Sequence, residues 1–219
     1  MKYNPHALVF DFDGVLVAHS ETFKLEAWRV VFKPYEGRYE PFFDEAQTTF
    51  GFGKKGDRYD ILLHVYTKLG EPAERVEKLV QAGAKLFNEL VQEGIRNAGL
   101  VDGGYEVLAE LSKRFPMYVN SGTAGAALEE SLIHLGVLQF FKGAFGGPTS
   151  KGENLFKIAK LERIKPSSLL LIGDSNGDII GAQETGAQLV GLANEWNKWA
   201  GTEKPFPLIT SLEELRGLL

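Results

Sequence analysis

Ala7-Leu8-Val9-Phe10-Asp11-Phe12-Asp13-Gly14-Val15-Leu16 is the stretch whose reading decides the fold of this 219-residue sequence. The run Ala7 to Phe10 is apolar without alternation, as expected of a parallel strand buried on both faces. It ends in two aspartates one residue apart, followed by a glycine that lets the backbone turn sharply. In an open α/β sheet, ligands gather at the carboxyl ends of strands, so Asp11 and Asp13 would open into that crevice. Two carboxylates at one strand end repel each other unless a cation lies between them or one keeps a proton. An ordinary turn also favours Asp and Gly. A calcium loop likewise begins with alternating aspartates, but the later ligands and the closing Glu of such a loop are missing.

A second acidic pair near the far end of the chain favours a site over a turn. Ser168 to Ile172 reads as another buried strand, and it runs into Gly173-Asp174-Ser175-Asn176-Gly177-Asp178. Asp174 and Asp178 lie four apart where a helix begins, which puts both on one face of its first turn. Either alone is explained as a helix cap. If the two strands are neighbours, up to four carboxylates face one crevice, a donor set suited to a hard cation such as Mg²⁺. With no cysteine and only four histidines in the sequence, zinc is disfavoured.

Between these ends the chain changes character once. Residues 21 to 96 show helical spacing and no alternation of strands: Glu21–Phe32, Arg58–Leu69 and Glu74–Val91 read as helices, and Tyr35–Phe52 as a less regular aromatic stretch. From Leu100 onward helices and strands alternate, which predicts a doubly wound parallel sheet with right-handed crossovers. The expected division is therefore an α/β core of residues 1–16 and 99–219, with an all-helical insert of residues 17–98. Gly51-Phe52-Gly53-Lys54-Lys55-Gly56 satisfies a dinucleotide-binding pattern, but no strand runs into it. It reads instead as a loop whose Lys54 and Lys55, with Arg58 just beyond, would meet an anionic substrate.

Two further positions fall at element ends within the alternating part. Ser121, after the strand Met117–Asn120, would offer its hydroxyl together with the N–H groups of Gly122 and Thr123 to an anion at a helix start; a plain N-cap satisfies the same geometry. Lys151 opens a helix, where a cation opposes the helix dipole and so asks for a compensating role. Net charge of −5 argues against nucleic acid or an anionic membrane as partner. The first apolar run is cut at Asp11, too early for a signal peptide, and no run reaches transmembrane length. These features lead to the expectation of a soluble cytoplasmic protein.

Taken in order, Asp11-Phe12-Asp13-Gly14-Val15-Leu16, Ser121-Gly122, Lys151 and Gly173-Asp174-Ser175-Asn176-Gly177-Asp178 resemble the four motifs of the haloacid dehalogenase superfamily of phosphohydrolases, over nearly the whole chain. The resemblance implies that fold with a helical cap, and a Mg²⁺-dependent phosphatase acting on a small phosphorylated metabolite such as a sugar phosphate or phosphoglycolate. It implies that Asp11 is the nucleophile and forms an aspartyl-phosphate, and that Asp13 is the acid and base. Ser121, Gly122 and Lys151 would bind the phosphoryl group. Asp11, Asp13 through its backbone carbonyl, and Asp174, with Asp178 directly or through water, would hold the metal. Dehalogenating members lack an aspartate at position 13. Mutases of the β-phosphoglucomutase type share the first motif and the cap but tend to carry Glu-Asp where this chain has Gly173-Asp174. A phosphomutase and a non-catalytic binding module stay open as alternatives. The chain departs from the family at Ala18-His19-Ser20 and at Lys151-Gly152-Glu153-Asn154, which leaves the substrate open.

Overall fold

The computed structural model describes residues 2–51 and 56–219. Six strands, β1 (Ala7–Phe10), β2 (Met117–Ala124), β3 (Gly143–Gly147), β4 (Leu169–Gly173), β5 (Gln188–Leu192) and β6 (Leu208–Ile209), form one sheet in the order β3-β2-β1-β4-β5-β6. Every pairing is parallel. Their crossover helices are α5 (Gly104–Leu111), α6 (Gly125–His134), α7 (Lys151–Glu162) and α8 (Asn176–Thr185), and the short α9 (Leu215–Leu218) ends the chain.

The apolar runs of β1 and β4 do not alternate because both faces of the sheet are covered. Ala7, Val9, Leu169 and Leu171 point to one side and join Leu155, Ile158 and Ala159 of α7 and Ala182 of α8 in one cluster. Leu8, Phe10, Leu170 and Ile172 fall on the opposite side by strand alternation and are equally buried. The strand order reverses at β1, which is flanked by β2 and β4. That reversal is the switch point where such sheets open a crevice at their carboxyl edge. Direct pairing of Phe10 with Ile172 brings Asp11 to the end of β4, one residue out of step with Asp174.

The chain divides into two compact units: Ser20–Asn97 forms one, and the rest of the chain forms the other. In the former, the described residues build α1 (Ser20–Phe32), α2 (Glu40–Phe50), α3 (Arg58–Lys68) and α4 (Ala73–Ala98, whose last residue lies past the boundary). Its core is aromatic. The Trp28 ring lies 4.2 Å from Phe87, and the Phe32 ring 5.1 Å from Tyr39 and 5.5 Å from Tyr66. Phe43 packs on both Trp28 and Phe32.

Three local features differ from the sequence reading. Most of the described part of the stretch 35–52 is a regular helix, α2, with Pro41 in its first turn, where a missing N–H costs nothing. Phe140–Phe145 reads from its sequence as a short strand, but Leu138–Phe140 forms a 3₁₀ turn and the glycine-rich Gly143–Gly147 makes the edge strand. The two-residue β6 carries too short a pattern to be read from sequence. No described helix is long and apolar enough to cross a membrane.

Burial in the aromatic core, then the nearby Tyr35 and Glu71, push the Tyr66 phenol up to about 12. A group whose folded value lies above its unfolded value of 10.0 gives stability that is complete below pH 10 and is lost as pH rises toward 12. Alkaline titration followed by circular dichroism should show helix lost across that window, and Tyr66→Phe should move the loss to higher pH. Superposable curves for the two proteins would contradict this.

Candidate active site

The site grows from the end of β1. The Asp11 N–H still donates to Ile172 O at 2.8 Å, so the strand pairing holds up to the carboxylate itself. Beyond it the chain coils tightly: Leu16 and Val17 N–H both donate to Phe12 O, and Gly14 N–H to Val17 O. Gly14 has φ +73, and a Cβ there would lie 2.1 Å from Asp174 Oδ2. The turn thus requires glycine twice over, by conformation and by the approach of the neighbouring carboxylate.

At the end of β4, Ser175 caps α8 and Asp178 closes a reciprocal capping box with it. Asp178 Oδ2 accepts from Ser175 N–H at 3.1 Å and from Ser175 Oγ at 2.5 Å, while Oδ1 faces Lys151. The capping role and the site role of Asp178 therefore coexist, one oxygen serving each. Gly173 makes room for this, since a Cβ there would stand 2.2 Å from Asp178 Cγ.

Lys151 is the first residue of α7, after its cap Ser150. Its ammonium lies 2.5 Å from Asp11 Oδ2 and 2.7 Å from Asp178 Oδ1, all three side chains being largely buried. This is the compensation that a lysine at a helix start requires. Its backbone is clamped as well: Asn120 Nδ2 donates to Lys151 O, and Asn154 Nδ2 donates to Asn120 Oδ1, both at 3.0 Å.

The Ser121 expectation needs revision. Strand β2 continues to Ala124 and α6 starts at Gly125, so Ser121 is neither the N-cap nor part of the first helical turn. Ser121, buried at the end of the regular pairing, accepts from Thr123 N–H through Oγ at 3.0 Å, and Gly122 is exposed. The irregular register between Asn120 and Ala124 is what presents these groups. Thr123 Oγ1 in turn donates to Asp13 Oδ2 at 2.9 Å and holds that carboxylate.

One carboxylate oxygen from each of Asp11, Asp174 and Asp178 lies within 4.8 Å of the others. Asp13 is outside this set, which leaves its backbone carbonyl as the only ligand the sequence reading had assigned to it. Burial, then the Asp178 carboxylate, push Asp11 well above the usual carboxylate range, with Lys151 pulling it back. Burial also raises Asp174, to about 6, against the lowering effect of its bond from Asn194. Burial alone would lower Lys151, but Asp11 and Asp178 together overcome this and hold its value above normal. Three carboxylates gathered near one ammonium leave excess negative charge, and these converging hard oxygen donors, with no sulfur or imidazole among them, fit a divalent cation of the Mg²⁺ type.

The cap candidates are not brought into this picture. Lys54 and Lys55 lie outside the described residues. Arg58 begins α3, with its guanidinium 5.7 Å from the centre of the Tyr59 ring. Sequence reading used only the N–H of Thr123 and missed its hydroxyl, and it missed the roles of Asn120 and Asn154, and also of Asn194 and Asn197 in the loop after β5. The first three flank Ser121 and Lys151 in sequence, but no residue pattern marks the last two.

A model of the haloacid dehalogenase-like hydrolases matches residues 5–186. The chain belongs to that family. Solved haloacid dehalogenase-fold proteins align over nearly the full length. YfnB of Bacillus subtilis, in a structure bound to magnesium, is 21% identical, with 100% of this chain and 99% of that one covered at a TM-score of 0.70. A predicted phosphoglycolate phosphatase of Haemophilus somnus is 19% identical over 97% and 96%, at 0.73. The β-phosphoglucomutase of Clostridium difficile is 19% identical over 97% and 93%, at 0.70. A search of curated protein sequences gives no match. The haloacid dehalogenase fold accounts for the position of the acidic cluster at the switch point of the sheet.

Gly173 gives a direct check on this packing. Gly173→Ala inserts a methyl against the Asp178 carboxylate, and overpacking of this kind costs roughly 1–3 kcal/mol. Thermal melting should show a lower Tm than the wild type; an unchanged Tm would mean that Asp178 does not occupy that space.

Proposed function

We propose that this hydrolase is a Mg²⁺-dependent phosphatase of a small phosphorylated metabolite. The observation that carries the reading is the buried Asp11 carboxylate, gathered with Asp174 and Asp178 and braced by Lys151. Such a group is available to attack phosphorus only if its charge is preserved in a buried place, and Lys151 supplies part of that stabilisation.

In this reading the Asp11 carboxylate oxygen forms a bond to phosphorus while the bond to the leaving oxygen breaks, giving an aspartyl-phosphate. Asp13 delivers a proton to that leaving oxygen, and Thr123 keeps the Asp13 carboxylate turned to its task. Asp13 then takes a proton from water as the water oxygen bonds to phosphorus, which releases inorganic phosphate and restores the Asp11 carboxylate. Ser121 Oγ, the Gly122 N–H and the Lys151 ammonium would meet the phosphoryl oxygens. Mg²⁺, held by Asp11, Asp174, Asp178 and the Asp13 carbonyl, would neutralise phosphoryl charge.

Gly173 favours a phosphatase over a mutase of the β-phosphoglucomutase type. A glutamate at 173 would collide with Asp178 where Asp178 now stands. A binding module is disfavoured because a buried excess of carboxylates is costly to keep for structure alone. We further infer that the helical unit Ser20–Asn97 is the cap, and that Lys54, Lys55 and Arg58 on it meet the anionic substrate.

The test is phosphate release from a panel of phosphorylated metabolites and an activated aryl phosphate, with Mg²⁺ and with a chelator. Release should require Mg²⁺ and fall to background in Asp11→Asn. Replacing Lys54, Lys55 and Arg58 together by alanine should raise KM for the best substrate. Undiminished release by Asp11→Asn would overturn the phosphatase reading, and an unchanged KM in the triple variant would remove those three residues from substrate binding.

A further inference from the structure

The loop after β5 is built around two asparagines that hold each other. Asn194 N–H donates to Asn197 Oδ1 at 3.1 Å, and Asn197 N–H donates to Asn194 Oδ1 at 3.0 Å. Asn194 Oδ1 also accepts from Trp196 N–H, and Asn197 Oδ1 from Trp199 N–H, both at 3.0 Å. Side-chain acceptors of this kind are an ordinary way to fix a turn. What the turn does not need is the use made of the two amide donors.

Both donors are directed at the neighbouring strand ends. Asn194 Nδ2 donates to Asp174 Oδ2 at 2.6 Å and lies 3.4 Å from Gly14 O. Asn197 Nδ2 donates to the Asp174 carbonyl and to the Leu192 carbonyl, each at 2.9 Å. One asparagine thus fixes the side chain of Asp174 and the other its backbone, tying together the ends of β1, β4 and β5. Asp174 is only half-buried, and among the described residues Asn194 is the side chain that hydrogen-bonds its carboxylate. Asp11 and Asp178, in contrast, are braced by Lys151.

We propose that Asn194, locked in place by Asn197, is a positioning residue that orients the Asp174 carboxylate as a metal ligand. A bond to one oxygen of a ligating carboxylate fixes the direction of the other and lowers the entropy lost when metal binds. The proposal rests on the metal reading of the acidic cluster and extends it to a loop outside all four motifs.

Asn194→Ser separates the two roles of this residue. A serine hydroxyl still accepts from the Trp196 and Asn197 N–H groups, as in a serine-based turn, but it is too short to reach Asp174. The probe is Mn²⁺ alone, titrated by electron paramagnetic resonance into wild type, Asn194→Ser and Asn194→Ala, alongside thermal melts of the metal-free proteins. Asn194→Ser should bind Mn²⁺ about 10–100-fold more weakly, keep a metal-free Tm close to wild type, and regain turnover as Mg²⁺ is raised. Wild-type affinity in Asn194→Ser would overturn the proposal while leaving the metal site standing. A wild type that binds no Mn²⁺ would overturn the metal reading and the proposal with it. If Asn194→Ala fails to fold, the serine variant decides alone.

Discussion

Asp11 and Asp178 are buried within reach of one ammonium, and the structure depends on that arrangement. Like charges in a low-dielectric interior repel strongly, and breaking such a buried set by deleting one partner typically costs roughly 3–5 kcal/mol. Lys151 answers for both carboxylates at once. Its own helix start is unfavourable for a cation, so neither the lysine nor the aspartates would be stable in these places without the others. The amide chain from Asn154 through Asn120 to the Lys151 carbonyl fixes where the ammonium can go.

The sheet order makes this possible. β1 and β4 are distant in sequence and adjacent in space, and their parallel pairing lines up the carboxyl ends at the point where the chain reverses its direction of travel across the sheet. Glycines at 14 and 173 then let carboxylates approach where any side chain would collide. The motif glycines are spatial requirements of the acidic cluster as much as turn-formers.

Much of this was legible in the sequence. Unalternating apolar runs ending in Asp-x-Asp and Gly-Asp announced buried parallel strands with acidic ends, and the change of pattern near residue 100 marked where the alternating α/β part resumes. Lysine at a helix start was readable as an oddity that needed a partner. Less visible was anything set by register or by a loop. The strand at Ser121 runs on to Ala124 because an irregular pairing carries it, which no apolar pattern encodes. Pro41 lies in the first turn of a helix, within a stretch whose aromatic pattern did not read as one. Thr123, Asn194 and Asn197 are ordinary polar residues by composition, and only the fold shows that the first two hold the carboxylates of Asp13 and Asp174 and the third the Asp174 backbone.

The central claim is that Asp11 itself takes the phosphoryl group. An activated aryl phosphate has a leaving group that needs no proton, so Asp13→Asn should still form the intermediate while being unable to activate the water that clears it. Rapid acid quench of that variant with the aryl phosphate, followed by peptide mass spectrometry, should find phosphate on Asp11. Phosphate on another residue, or turnover with Asp11 unmodified throughout, would contradict the account.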